Sequence, residues 1–224
     1  MSGSNPGDLP QPSPLTRSGI PQWLAWAREL QALAQNGLAF SRDVFDIERY
    51  QRIEAIAAEM LAHHADVPAG ECRDLFAVQA GYATPKVDVR GVVFRGDTLL
   101  FVRERSDGLW TLPGGWVDVG QSPSEAVVKE VREESGYEVR AERILALLDR
   151  DRHGHPALAF HVFKLFILCT LVGGAAVEGS AETDAVAFFE EDEIPPLSLL
   201  RIVPSQVARM FEHHRRPGLA ADFD

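Results

Sequence analysis

The chain has 224 residues, enough for one substantial core and a small extra domain. Its formal net charge of −11 at pH 7 argues against sequence-independent nucleic-acid binding, which depends on Lys and Arg neutralising phosphates. Two cysteines, Cys72 and Cys169, point to buried thiols in a reducing, cytoplasmic setting, and neither a membrane-spanning apolar run nor a secretory leader is expected.

Residues 1–20, rich in Pro, Gly and Ser, read as a disordered or docked tail. Residues 21–65 read as a helical hairpin domain. Its first helix is expected over Pro21–Ala34, where Trp23, Leu24, Ala27, Leu30, Leu33 and Ala34 fall near helical spacing. Asn36-Gly37 reads as its stop. The second helix is expected from Asp46 and carries Ile47, Tyr50, Ile53, Ile56, Ala57, Met60 and Leu61. Two such helices bury too little to stand alone. They must dock on the rest of the chain, on a second copy or on both, and a homodimer is the economical reading.

Residues 66–224 form the larger part. Val87–Phe94 alternates as a strand, Arg95-Gly96-Asp97 is a turn, and Thr98–Val102 is a second strand. Further strands are expected at Ile144–Leu148, Ala159–Leu171 and Ala185–Phe189, with a last helix over Pro204–His214. A helix between the second and third strands makes this an α/β arrangement, with helices sandwiching a mixed sheet.

That helix lies in GWVDVGQSPSEAVVKEVREESGY, residues 115–137. Ser122-Pro123-Ser124-Glu125 has the capping-box form, with Pro123 at the first helical position and Gly136 as the stop. Leu112-Pro113-Gly114-Gly115 before it is a loop whose glycines let backbone approach a ligand. Glu130, Glu133 and Glu134 share one helical face, about 60° and 40° to either side of Glu130. Three like charges so close repel one another unless a cation sits among them. Hard divalent cations such as Mg2+ take oxygen ligands and suit such a patch.

The segment resembles the signature of the Nudix hydrolases, G-x5-E-x7-R-E-U-x-E-E-x-G-U, where U is a bulky apolar residue. Gly115, Glu130, Val131, Glu133, Glu134 and Gly136 match at the right spacing, whereas Gln121 stands for the family's Glu, Lys129 for its Arg and Tyr137 for its last apolar residue. The stretch from Trp23 through Leu61 and GYATPKVDVRGVVF is similar to a bacterial Nudix subgroup with an N-terminal helical hairpin. Its members are described as CDP-choline or ADP-ribose pyrophosphatases.

The resemblance implies a Nudix α/β/α sandwich and metal-dependent hydrolysis of a nucleoside diphosphate linked to another moiety, a CDP-choline-like substrate ahead of ADP-ribose. Glu130, Glu133 and Glu134 would hold Mg2+ or Mn2+, with the Gly114 carbonyl and Glu182 as further ligands. Glu133 and Glu182 are the candidate general bases. Lys129, a point charge, cannot replace the planar fork of Arg, so slower catalysis is expected rather than none. The alternative is a weakly catalytic nucleotide-binding regulator, disfavoured because all three carboxylates are kept. Lesser candidates for substrate contact are Arg90, which suits a structural ion pair at least as well, Trp110, for which a core aromatic is the safer reading, and His153. Zinc at His153 and His155 lacks a third ligand at a metal spacing.

Overall fold

The computed structural model describes residues 20–65, 68–77, 79–177 and 179–224. Of the tail expected over 1–20, only Ile20 is described. The chain divides into two compact units, Met1–Thr84 and Pro85–Asp224.

The first unit contains α1 (Gln22–Phe40), α2 (Val44–Ala65) and α3 (Ala69–Ala77). The sequence reading ended the helical part at residue 65 and left out α3, whose short amphipathic pattern buries Cys72 and Phe76. Asn36-Gly37 does not stop α1. A Cβ at Gly37 would stand 2.4 Å from the Tyr50 ring, so this glycine lets α2 pack closely instead of ending the helix. Asn36 is likewise engaged elsewhere, its Oδ1 accepting from the Ala83 N–H at 2.7 Å. The start of α2 falls two residues earlier than expected because Asp43 Oδ1 accepts from the N–H groups of Phe45 and Asp46 at 3.0 and 3.1 Å. Trp26, Leu33 and Phe40, seven residues apart along α1, remain exposed in this unit.

The second unit is built on a mixed sheet of β1 (Lys86–Arg95), β2 (Thr98–Glu104), β3 (Trp110–Thr111), β4 (Tyr137–Asp149), β5 (Val162–Gly174), β6 (Thr183–Phe189) and β7 (Asp222–Phe223). The strand order is β3-β2-β1-β5-β4-β7, with β6 paired to β2. β1 and β5 run parallel, as do β4 and β7, and the other pairs are antiparallel. α4 (Pro123–Ser135) covers one face through Val127 and Val131, which join Val89, Leu100 and Ile167. α5 (Pro204–Arg215) covers the other through Val207, Met210 and Phe211, which join Val92, Phe101 and Phe166. The result is the expected α/β/α sandwich.

β4 is much longer than the five residues expected. It begins directly after the stop of α4, and register shifts along it break the simple alternation that the sequence pattern relies on. β3, β7 and a single 3-10 turn at Arg150–Arg152 were too short to read.

Candidate active site

α4 is fixed at both ends before it presents its carboxylates. The Ser122 hydroxyl accepts from the Glu125 N–H at 3.3 Å, and the Glu125 carboxylate accepts from the Ser122 N–H at 2.8 Å, completing the capping box. At the other end Gly136 takes φ +77°, and its N–H donates to Arg132 O at 2.9 Å. The Thr183 hydroxyl of β6 donates to Glu134 O at 2.8 Å, tying the helix end to the sheet.

The glycine loop lies against this helix. The Val89 N–H donates to Gly115 O at 2.9 Å and the Gly91 N–H to Pro113 O at 2.8 Å, so the loop runs as an irregular antiparallel partner of β1. A Cβ at Gly114, which has φ +147°, would fall 2.0 Å from Val89 O, so no other residue fits there. The Gly114 N–H donates to Glu134 Oε2 at 2.9 Å, and the Glu130 carboxylate rests against Gly115.

The three carboxylates have unequal surroundings. Glu134 is 4% exposed. Burial pushes its carboxyl up to about 8, with Glu104 and Glu130 adding to the rise, while Arg90 and the Gly114 N–H pull the other way. Glu130 is half-buried and raised, chiefly by desolvation, with Glu133 and Glu182 contributing. Glu133 is exposed. Lys129 Nζ lies 3.8 Å from Glu130, 3.9 Å from Glu133 and 3.4 Å from Asp118, a partial counter-charge. A set of clustered, partly desolvated oxygen donors disfavours its own ionisation and fits a hard divalent cation.

Glu182 sits on the loop entering β6, exposed, with its backbone held by the Arg105 N–H at 2.8 Å and by Ser180 Oγ at 3.1 Å. Its charge acts on both Glu130 and Glu104, so the topology brings it to the acidic side of α4.

Three lesser candidates find other partners. Arg90 is 5% exposed; its Nη2 donates to Asp88 Oδ1 at 2.8 Å, its Nε to Oδ2 at 3.2 Å and its Nη1 to Leu112 O at 3.1 Å. This is the structural ion pair, not an open phosphate contact. Trp110 packs edge-on against Phe189 with ring centroids 4.9 Å apart, the core reading of that residue. His153 Nε2 lies 3.0 Å from Asp224 Oδ2. His155 Nδ1 meets Leu199 O at 2.7 Å and its Nε2 meets Gln206 Oε1 at 3.1 Å; burial drives the ring down to about 4. The two histidines therefore do not converge on a shared ion.

Two features escaped the sequence reading. Glu104, 5% exposed at the end of β2, pairs with Arg201 Nε at 2.8 Å and acts on Glu134 from the sheet side. A lone acid closing an apolar strand was its only signal. Lys164 faces Asp88 across the parallel β1–β5 pair, so one buried carboxylate holds two cations. Burial works against the charged form of Asp88, but Arg90 and Lys164 outweigh it and leave the carboxyl below its usual range; Lys164 itself is brought down to about 8 by burial. Away from α4, Asp149, Asp151 and His161 place ligand atoms within 4.8 Å of one another, but His161 already bonds Asp149 at 3.2 Å.

A sandwich whose capped helix carries three carboxylates, two of them against a glycine loop, is the frame of a Nudix enzyme. Residues 84–211 match the NUDIX domain family and residues 21–76 match the UDP-X-like, N-terminal oligomerisation domain family. The chain belongs to the Nudix family and is a pyrophosphohydrolase. It is 46% identical over 203 residues to a putative ADP-ribose pyrophosphatase, YjhB, of Bacillus subtilis, covering 91% of this chain and 97% of that protein. Among solved structures it is similar to a UDP-X diphosphatase at 30% identity and TM-score 0.59, covering 90% of this chain and 98% of that one. It is also similar to an ADP-ribose pyrophosphatase from Streptococcus suis at 43% identity and TM-score 0.56, covering 63% of this chain and 100% of that one.

Proposed function

We propose that this protein hydrolyses the pyrophosphate bond of a nucleoside diphosphate linked to a second moiety, with Mg2+ or Mn2+ as cofactor. The observation that carries this reading is the acidic face of α4, where Glu134 and Glu130 are held against Gly114 and Gly115 and Glu133 stands exposed beside them. Glu130, Glu134 and Glu133 would hold the ion, with Glu182 and the Gly114 carbonyl as further donors. When bound, the ion supplies neutralisation of the diphosphate and activation of water.

The chain's own groups set the geometry. The Gly114 N–H fixes one Glu134 oxygen, Oε2, at 2.9 Å. Lys129 steadies Glu130 and Glu133 as a point charge. Glu182, exposed and outside the reach of the Lys129 pairs, is our choice for the group that takes a proton from the attacking water, with Glu133 the alternative.

ADP-ribose leads the proposed substrates because a relative 46% identical over 91% of this chain carries that name; UDP-linked compounds, supported at 30% identity, and CDP-choline follow. The proposal includes a homodimer formed through the first unit, supported by the exposed Trp26, Leu33 and Phe40 and by the oligomerisation family that matches residues 21–76. A cytoplasmic location is supported by two free, buried cysteines. No helix among the described residues is long and apolar enough to cross a membrane.

The test is a panel of ADP-ribose, CDP-choline, UDP-glucose, NADH and capped RNA with Mg2+ and Mn2+, read by product analysis. Release of a nucleoside monophosphate that stops with EDTA and with Glu134→Gln is expected. Metal-independent release, or none from any nucleoside diphosphate derivative, would refute the reading.

A further inference from the structure

Trp116 follows the glycine pair directly. It is 49% exposed, yet its backbone is pinned on both sides. The Val89 N–H bonds Gly115 O at 2.9 Å, and the Val117 N–H bonds Val87 O at 3.0 Å. Between these two bonds Trp116 stands opposite Asp88 in an antiparallel bridge. Residues directly opposed in such a pair turn their side chains to the same face. Val117 packs into the core beneath α4. Trp116 is therefore turned to the other face of the sheet, the face of Asp88, Arg90 and Lys164.

An indole held this way has few internal reasons to stay open. Among the described residues no ring or cation stacks on it, whereas Trp110 is closed edge-on by Phe189. The loop leading to α5 on the same face also leaves Leu199 and Leu200 exposed, 46% and 49%. Their carbonyls are tethered to His155 at 2.7 Å and to the Arg150 guanidinium at 3.3 Å. The indole is thus presented on fixed backbone, one residue from the glycine against which Glu130 rests.

We propose that Trp116 is the stacking platform for the base of the nucleoside diphosphate substrate. The diphosphate lies at the α4 carboxylates and the base crosses the Gly114–Gly115 loop to the indole. This rests on the hydrolase reading above and deepens it. Every base has a π-face, so such a platform adds affinity while tolerating adenine, cytosine or uracil. Discrimination among them falls to other contacts.

The experiment compares wild type, Trp116→Ala and Trp116→Phe with ADP-ribose and CDP-choline, using inorganic pyrophosphate as a base-free competitor. Trp116→Ala is expected to raise KM about tenfold with kcat within about twofold, and Trp116→Phe to stay within about threefold of wild type. The inhibition constant of pyrophosphate is expected to stay put in both. Titration of the full chain with AMP is expected to quench tryptophan emission in wild type and not in Trp116→Phe. An unchanged KM in Trp116→Ala, a pyrophosphate constant that moves with KM, or a quench that survives in Trp116→Phe overturns the proposal. The AMP arm stands apart from turnover. A wild type that hydrolyses no nucleoside diphosphate derivative of the panel but loses its AMP quench only without Trp116 refutes the hydrolase reading and keeps the platform.

Discussion

Glu134→Gln isolates the electrostatic cost of the candidate metal site. The native carboxyl has its pKa raised from an ordinary 4.5 to about 8 by burial. Between those values the folded state binds more protons than the unfolded state, so stability falls as pH rises through that window. The penalty is about 3 kcal/mol at pH 7 and less than about 1 kcal/mol at pH 5. Gln keeps an acceptor for the Gly114 N–H and removes the charge. In metal-free protein the variant should therefore gain about 2 kcal/mol on wild type between pH 5 and pH 7. Mn2+ should reverse the order at pH 7 by stabilising wild type far more than the variant. Urea denaturation read by hydrogen exchange of β5 amides keeps the helical unit out of the signal. Parallel stability of the two proteins from pH 5 to pH 7, or equal stabilisation by Mn2+, would show that Glu134 carries no desolvation penalty for a cation to relieve.

Asp88→Ala leaves Arg90 and Lys164 buried without their shared carboxylate. A loss of about 3–5 kcal/mol is expected in urea denaturation, and a loss below 1 kcal/mol would contradict the internal ion group. Gly37→Ala drives a methyl into the Tyr50 ring, and the first unit should lose about 1–3 kcal/mol by overpacking, seen in hydrogen exchange of α1 and α2. Leu33→Ser with Phe40→Ser should convert a dimer to monomer in analytical ultracentrifugation while leaving the circular dichroism of the fold unchanged; an unaltered sedimentation coefficient would place the interface elsewhere.

The start and stop of the acidic helix were legible because their signals are local. Ser122, Pro123, Glu125 and Gly136 act within one turn of their own backbone, and the structure uses each of them as read. Glu104 and Lys164 were not legible, since what gives each its meaning is a partner far away in sequence: Arg201 and Asp88. Asn36-Gly37 misled for the same reason. Its short-range vocabulary says stop, but Tyr50 from the next helix claims the space that the glycine leaves. Trp110 and Trp116 show the limit on the site itself. Both lie near the glycine loop, and only the direction set by strand pairing turns one inward and the other out.

The clasp at the end of the helical unit bears on how the protein can be taken apart. Asn36 holds Ala83 and the Gln35 side chain donates to Gly81 O at 3.0 Å, so α1 grips its own unit's last residues. A truncation placed after residue 65 would cut α3 away and leave that grip empty-handed. A scissor point between Thr84 and Pro85 leaves each piece with its own stitching, and recombinant halves made there are the pair to express separately, mix and assay.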